Sequence, residues 1–207
     1  MTPREQQLVR ALADSVRVLS LEQIARTWWS DTRWGRSRAK STLTALTDKG
    51  WLHMQRALSR PIVPLPAPLV RWQPESRCPD LAEVARILHR RSMTNAISLT
   101  VVFASRRAVA MFGTGRAPTI KLTQMTHDVS VSEVYLHYRS TNSSEEQWLS
   151  EDRLPHDWPI KVRPDAVLRD SQGGIIRAVE YGGDYPPSRL VELHEGIASM
   201  GIGYEIW

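Results

Sequence analysis

Prolines divide this chain into two parts. Six of them fall within residues 61–79, so no helix or central strand can run through this stretch. A flexible, fully solvated linker would expose the apolar side chains of Leu69, Val70 and Trp72 to water. Residues 64–79 are therefore predicted to form an extended linker laid on the protein surface. The linker separates residues 1–63 from residues 80–207, and a chain of 207 residues is long enough for two small domains with a buried core.

The two parts differ in charge. Residues 1–60 hold 11 Lys and Arg against 5 Asp and Glu, a net charge of +6, whereas residues 61–207 hold 16 against 17, a net charge of −1. This asymmetry predicts a polyanionic partner for the N-terminal part, nucleic acid before membrane. Cys78 is the single cysteine and cannot form an internal disulfide. The N-terminus lacks an apolar signal core, and the longest apolar run, residues 97–104, is too short to span a bilayer. We expect a cytoplasmic protein without a membrane partner.

The first fifty residues contain three helical patterns. Apolar residues at helical spacing predict a first helix over residues 3–14, and Ser20 can cap a second. A polar break over residues 30–35 precedes a third helix over residues 36–49, which Gly50 ends. Three short helices joined in this way are typical of a helix-turn-helix. The alternative is a three-helix bundle whose basic face contacts only water.

The third helix carries side chains suited to contact DNA. Its buried stripe leaves basic and hydroxyl groups exposed on the element that helix-turn-helix proteins lay in the major groove. After this helix, residues 51–56 alternate like a half-buried strand, and residues 61–65 are expected to return as an edge strand that completes a winged helix. The residues predicted to bind DNA are Arg36, Ser37, Arg38, Lys40, Ser41 and Thr44 of the helix, and Arg56 and Arg60 of the wing.

The middle of the chain offers little independent chemistry. Asp80 can cap a helix that ends near Arg91, and the β-branched residues 97–104 predict a strand. The Gly-Thr-Gly-Arg sequence at residues 113–116 lacks the Gly-Lys-Ser/Thr of a phosphate loop and indicates a turn. The six histidines show no paired metal spacing, and no Gly-x-Ser-x-Gly elbow of a serine hydrolase is present in the sequence.

Two carboxylates mark the C-terminal part. Pro164 and Asp165 precede one apolar strand, and Glu180 ends the next, so the two strands form a predicted hairpin. A helix over residues 188–200 and a last strand follow. This is the layout of a nuclease-like α/β core. Metal-dependent nucleases of the PD-(D/E)xK type hold a divalent cation between carboxylates at such positions, but Gly182 occupies the place of the motif lysine.

The order of these motifs resembles the replication-relaxation family of plasmid and mobile-element proteins. The segments that carry the likeness are the N-terminal winged helix, the helix from Thr126-His127-Asp128 to Tyr138, Arg163-Pro164-Asp165-Ala166 and Val179-Glu180-Tyr181-Gly182-Gly183. The resemblance implies an α+β fold, in which an N-terminal winged helix-turn-helix is followed by a small α/β restriction-endonuclease-like domain. It also implies a DNA-binding role in plasmid replication, mobilisation or their regulation. The Gly-Gly after Glu180, and Arg189 in the following helix, depart from the pattern of an active nuclease.

Three functions stay open. The first is a sequence-specific regulator or accessory factor that binds double-stranded DNA in plasmid or mobile-element replication, transfer or transcription, expected as a homodimer because such proteins pair on two-fold related sites. The second is a Mg-dependent DNA endonuclease, in which Asp165 and Glu180 hold the cation, Glu133 adds a carboxylate and Lys161 replaces the motif lysine. Outside this second hypothesis we expect no cofactor and no catalytic residue. The third is an adaptor that binds a relaxase or a replication initiator.

Overall fold

The computed structural model describes residues 1–113, 119–141 and 146–207, so most of the turn predicted at residues 113–116 lies outside the described residues. In chain order, the helices and strands are α1 (Pro3–Arg10), β1 (Leu19–Ser20), α2 (Leu21–Trp28), α3 (Arg33–Asp48), β2 (Leu52–Ser59), β3 (Val70–Trp72), α4 (Leu81–Ser92), β4 (Ile97–Ala104), α5 (Arg106–Phe112), α6 (Met125–Thr141), β5 (Gln147–Ser150), β6 (Ala166–Arg169), β7 (Ile175–Glu180), α7 (Pro187–Ser199) and β8 (Gly203–Ile206). The chain is a mixed α and β protein with two sheets, in agreement with the predicted α+β class.

The chain forms two compact units. Unit 1 consists of Met1–Val63 and Ala96–Leu136, and unit 2 consists of Pro64–Asn95 and His137–Trp207. The first boundary matches the predicted one after residue 63. Residues 96–136 were expected in the C-terminal domain, but they belong to unit 1, because they supply the strand that completes its sheet.

Side-chain caps set the helix starts of unit 1. Ser20 caps α2 as predicted, because its Oγ accepts the Gln23 backbone N–H at 3.1 Å while Gln23 Oε1 accepts the Ser20 N–H at 2.9 Å. Helix α3 begins earlier than expected, since Thr32 Oγ1 accepts the Gly35 N–H at 3.0 Å. A Cβ on residue 35 would lie 2.3 Å from the Ser30 carbonyl oxygen, so glycine is required where the turn crosses the helix start.

The sheet of unit 1 has the strand order β1-β4-β2, with both pairings antiparallel. Strand β2 pairs with β4 over its whole length, from Leu52 opposite Ala104 to Ser59 opposite Ile97. The return strand predicted at residues 61–65 is therefore wrong. Two of those five residues are prolines, which have no N–H to donate, whereas all eight residues of β4 can join the ladder. Buried side chains between this sheet and α6 are Val18, Ala57, Leu99, Val101, Met125 and Val129.

Unit 2 is built on a five-stranded sheet in the order β3-β8-β7-β6-β5. Strands β5, β6 and β7 form an antiparallel meander, and helix α7 connects β7 to the parallel strand β8. The residues predicted as a linker contain β3, in which Val70 to Trp72 pair antiparallel with Ile206 to Tyr204. The linker prediction is therefore wrong at residues 70–72, because this segment has a sheet edge to pair with. Helices α4 and α7 pack together, and Leu88, Leu190 and Ile206 are buried in the same core cluster.

Helices of the described residues are all too short or too polar to cross a membrane.

Candidate nucleic-acid interface

The difference in net charge is larger between the two units than between residues 1–60 and 61–207. The sequence of unit 1 contains 15 Lys and Arg against 7 Asp and Glu, a net charge of +8, whereas that of unit 2 contains 12 against 15, a net charge of −3. Residues 96–136 add to the excess, because they contain four basic and two acidic residues. Unit 1 is therefore the part of the chain suited to a polyanion.

Helix α3 presents the densest group of cations in this unit. Ala39, Leu43 and Leu46 are buried, as expected, and the predicted contact residues of the helix are all exposed. In the part of the chain that the structure describes, neither Arg36 nor Lys40 forms an ion pair. The first turn of α3 contains no acidic residue, although acidic side chains are the ones that the helix dipole favours there. This face of α3 is open to an external anion.

The hydroxyl groups of this face are engaged with the helix itself. Ser41 Oγ donates to the Ser37 carbonyl at 3.1 Å, and Thr44 Oγ1 donates to the Lys40 carbonyl at 3.1 Å. In this conformation the two hydroxyls present lone pairs rather than protons to a ligand. This geometry suits acceptance of a hydrogen bond, for example from the exocyclic amino groups of cytosine or adenine.

Arg56 lies within β2, and Arg60 follows the last residue of this strand. The Arg56 guanidinium donates to Ser98 Oγ at 3.0 Å and to the Ser98 carbonyl at 3.2 Å, so it lies across the β2–β4 ladder. Arg60 is half-buried, and its N–H donates to Thr126 Oγ1 at 3.0 Å. A short wing turn does not follow them, because β2 and β4 are separated by residues 60–96. Arg56 thus stays exposed on a strand, while Arg60 is more enclosed than predicted.

The two carboxylates of the hairpin meet in unit 2, as the sequence predicts. Asp165 Oδ2 accepts the Tyr181 N–H at 2.7 Å, and Glu180 Oε2 accepts the Asp165 N–H at 3.3 Å. Tyr185 donates its hydroxyl to Glu180 Oε1 at 2.9 Å. Burial, together with the charges of Glu180 and Asp165, raises the pKa of Tyr185 above its ordinary value, so it remains a neutral donor. The carboxylates thus bond to the hairpin and the following loop.

The motif lysine could not be accommodated at residue 182 without repacking. A Cβ there would lie 2.5 Å from Leu88 Cδ1 and 2.7 Å from Leu88 Cδ2, and the Leu88 side chain is buried. The proposed replacement, Lys161, is exposed, and among the described residues no hydrogen bond or ion pair joins it to Asp165 or Glu180. The space that a longer side chain at residue 182 would need is therefore filled by the core of unit 2.

The third carboxylate of the nuclease hypothesis is engaged elsewhere. Glu133 Oε2 accepts from Gln23 Nε2 at 3.0 Å and forms an ion pair with Arg26, within unit 1. Across residues 1–113, 119–141 and 146–207, no three His, Cys, Asp or Glu side chains gather where they could hold a metal ion. Glu133, which the nuclease hypothesis assigned to the metal, instead joins α6 to α2 within unit 1.

The sequence offered little sign of a buried charge cluster in unit 2. Glu205 on β8 is fully buried; its Oε1 lies 2.7 Å from Arg71 Nε and 3.3 Å from Arg177 Nη1. Its Oε2 accepts from the Tyr138 hydroxyl and from Trp207 Nε1, the latter at 3.0 Å. Burial and the Glu205 carboxylate raise the pKa of Tyr138 above its ordinary value. The only sign of this cluster in the sequence was Glu205 itself, which lies between Tyr204 and Ile206 in the predicted last strand.

No protein-family model, curated protein or solved structure matches this chain.

Proposed function

We propose that this protein binds double-stranded DNA through helix α3 and acts as a sequence-specific regulator or accessory factor of a plasmid or mobile element. The observation that carries the proposal is the exposed cationic face of α3, whose Arg36 and Lys40 have no acidic partner among the described residues. Cations at such positions neutralise phosphates and release counterions, which supplies most of the affinity for DNA.

The order of elements in unit 1 supports a winged helix. Within unit 1 the order is helix α1, strand β1, helices α2 and α3, strand β2 and then strand β4, which lies between β1 and β2 in the sheet. Winged helices use this succession and place their third helix in the major groove. What departs from the usual pattern is the tip of the wing, where residues 60–96 replace a short turn. Action as a homodimer on a two-fold related site belongs to the same proposal.

Unit 2 supports the second part of the proposal, a nuclease-like domain without nuclease activity. Helix α6 is followed by the β5-β6-β7 meander, helix α7 and the parallel strand β8, as in the core of PD-(D/E)xK enzymes. In this proposal Asp165 and Glu180 correspond to the metal-holding residues of such enzymes, and Gly182, which lies against Leu88, corresponds to the motif lysine. Such a domain positions the DNA-reading unit, dimerises or recruits a relaxase or replication initiator.

The test compares DNA binding by the parent and by a variant that carries Arg36→Ala and Lys40→Ala. Binding to a duplex selected from a randomised pool is measured by fluorescence anisotropy over a salt series. Each of the two substitutions removes one phosphate contact and is expected to weaken binding about tenfold at ~0.15 M salt. The slope of the logarithm of the association constant against the logarithm of the salt concentration is negative, and its magnitude is expected to decrease by about 2.

A matched control removes the same charge from unit 1 outside α3. Arg106 and Lys121 are both exposed, so a variant with Arg106→Ala and Lys121→Ala has the same net charge as the test variant. It is expected to retain nearly all of the affinity and slope. Equal losses in the two variants would mean that only the overall charge matters. An absence of DNA binding by the parent would favour the adaptor hypothesis instead.

A further inference from the structure

Trp34 in the first turn of α3 is an unusual surface residue. Trp34 is 68% exposed, and among the described residues it is the one aromatic residue in the group of exposed large apolar residues. The Arg38 guanidinium carbon lies 5.3 Å from the centre of the indole ring, so the two side chains stack one helical turn apart. Exposure of an indole costs hydrophobic free energy, which contact with a ligand would recover.

The surroundings of Trp34 do not suit a hydrophobic protein interface. Its neighbours on the helix surface, three, four and seven residues further along, are Ser37, Arg38 and Ser41. A protein-binding patch would place other apolar side chains beside the ring. Here a single ring is set among hydroxyls and a cation, on a face that bears further basic residues. These surroundings favour a polyanion that also presents small apolar groups.

Double-stranded DNA presents one such group in its major groove, the C5 methyl of thymine. The N-terminal residues of a recognition helix are the ones that reach base edges, and Trp34 is the second residue of α3. The small side chains of Ser37 and Ser41 allow the helix to approach the groove floor closely. We infer that Trp34 is a specificity residue that contacts a thymine methyl group. This inference rests on the proposed function, because it requires α3 to lie in the major groove.

The inference can be tested by removing the methyl from the DNA. A duplex is selected from a randomised pool with the full chain and is then synthesised with deoxyuridine in place of each thymidine in turn, which leaves base pairing unchanged. For the parent protein, deoxyuridine at one or more positions of the duplex is expected to weaken binding about fourfold, which is the effect of losing one buried methyl group. For Trp34→Ala, the thymine and uracil duplexes are expected to bind equally at that position, whereas Trp34→Phe retains part of the difference.

Met111→Ala is the control, because Met111 is 62% exposed in unit 1 but lies on α5. It is expected to keep the fourfold difference. If the parent binds DNA but the difference persists in Trp34→Ala, this inference is overturned and the proposed function stands. If the parent does not bind DNA, both are overturned. Sedimentation velocity on the free proteins tests whether Trp34 is instead a self-association contact. A loss of dimer in Trp34→Ala, with the thymine preference unchanged, overturns the inference.

Discussion

Gly182→Lys, which places a lysine where the PD-(D/E)xK pattern has one, is expected to destabilise unit 2 and to leave the protein unable to cut DNA. The new Cβ would lie 2.5 Å from Leu88 Cδ1, in a core where Leu88 is 1% exposed. Overpacking of this kind costs about 1–3 kcal/mol, and a buried ammonium group adds to the cost. We expect the free energy of unfolding to fall by about 3 kcal/mol. Urea unfolding measures the loss, and plasmid nicking with Mg²⁺ measures cleavage.

The neighbouring glycine provides the control for this substitution. A Cβ on Gly183 would have its nearest contact at 3.4 Å, with Tyr185 Cε1, which is an ordinary van der Waals distance. Gly183→Lys is therefore expected to change stability by less than about 0.5 kcal/mol.

A double variant tests the contact with Leu88. Gly182→Lys combined with Leu88→Ala should cost less than the sum of the two single changes, since removal of the Leu88 methyl groups makes room for the new side chain. Mg²⁺-dependent nicking by the parent or by Gly182→Lys, abolished by both Asp165→Ala and Glu180→Ala, would contradict this account and establish the nuclease hypothesis.

Glu205→Ala is expected to lower the free energy of unfolding by about 3–5 kcal/mol, because it removes a fully buried carboxylate and leaves the donors around it without their acceptor. The substitution would leave the 18%-exposed Arg177 side chain without this carboxylate and the buried Tyr138 hydroxyl without its acceptor. Glu205→Gln keeps an oxygen for Tyr138 but loses the charge, so we expect an intermediate cost of about 1–3 kcal/mol. Chemical denaturation, followed by near-UV circular dichroism, measures both.

Glu195 offers a comparison for this cluster, because it is an exposed glutamate of α7 in the same unit. Glu195→Ala is expected to leave stability unchanged within about 0.5 kcal/mol. If Glu205→Ala were as mild as Glu195→Ala, the Arg71 and Arg177 contacts would contribute no net stability, as for many solvent-exposed pairs.

Local features could be predicted well from the sequence. The Ser20 cap, the strand at residues 97–104 and the placement of Asp165 and Glu180 at adjacent strand ends each depend on residues close together in the chain. Capping needs a hydroxyl three residues before an N–H, and a hairpin needs a turn between two apolar runs. All the residues that such a signal requires lie within a few positions of one another in the sequence. The start of α3 was predicted too late, because a glycine is usually unfavourable within a helix. Gly35 is needed there because the Ser30 backbone approaches it closely, which the sequence does not reveal.

Pairing between distant segments could not be predicted. Residues 61–65 looked like the partner of β2 because they come next in the sequence, but β4 pairs instead and brings residues 96–136 into unit 1. Strand β3 was hidden among prolines because its pairing partner, β8, lies at residues 203–206. The selection of a strand partner depends on hydrogen-bonding capacity and burial over the whole fold, which no short window contains.

By itself, the sequence determined the mixed α and β character, the basic N-terminal part, the face of α3 and the carboxylate pair of the hairpin. Each of these follows from residue type and spacing, which act over a few residues. Only the tertiary structure decided that Leu88 fills the space beside Gly182, that Glu133 bonds to α2, that Glu205 forms a buried charge cluster and that Trp34 is exposed. These depend on packing and burial, which are properties of residues brought together from distant parts of the chain.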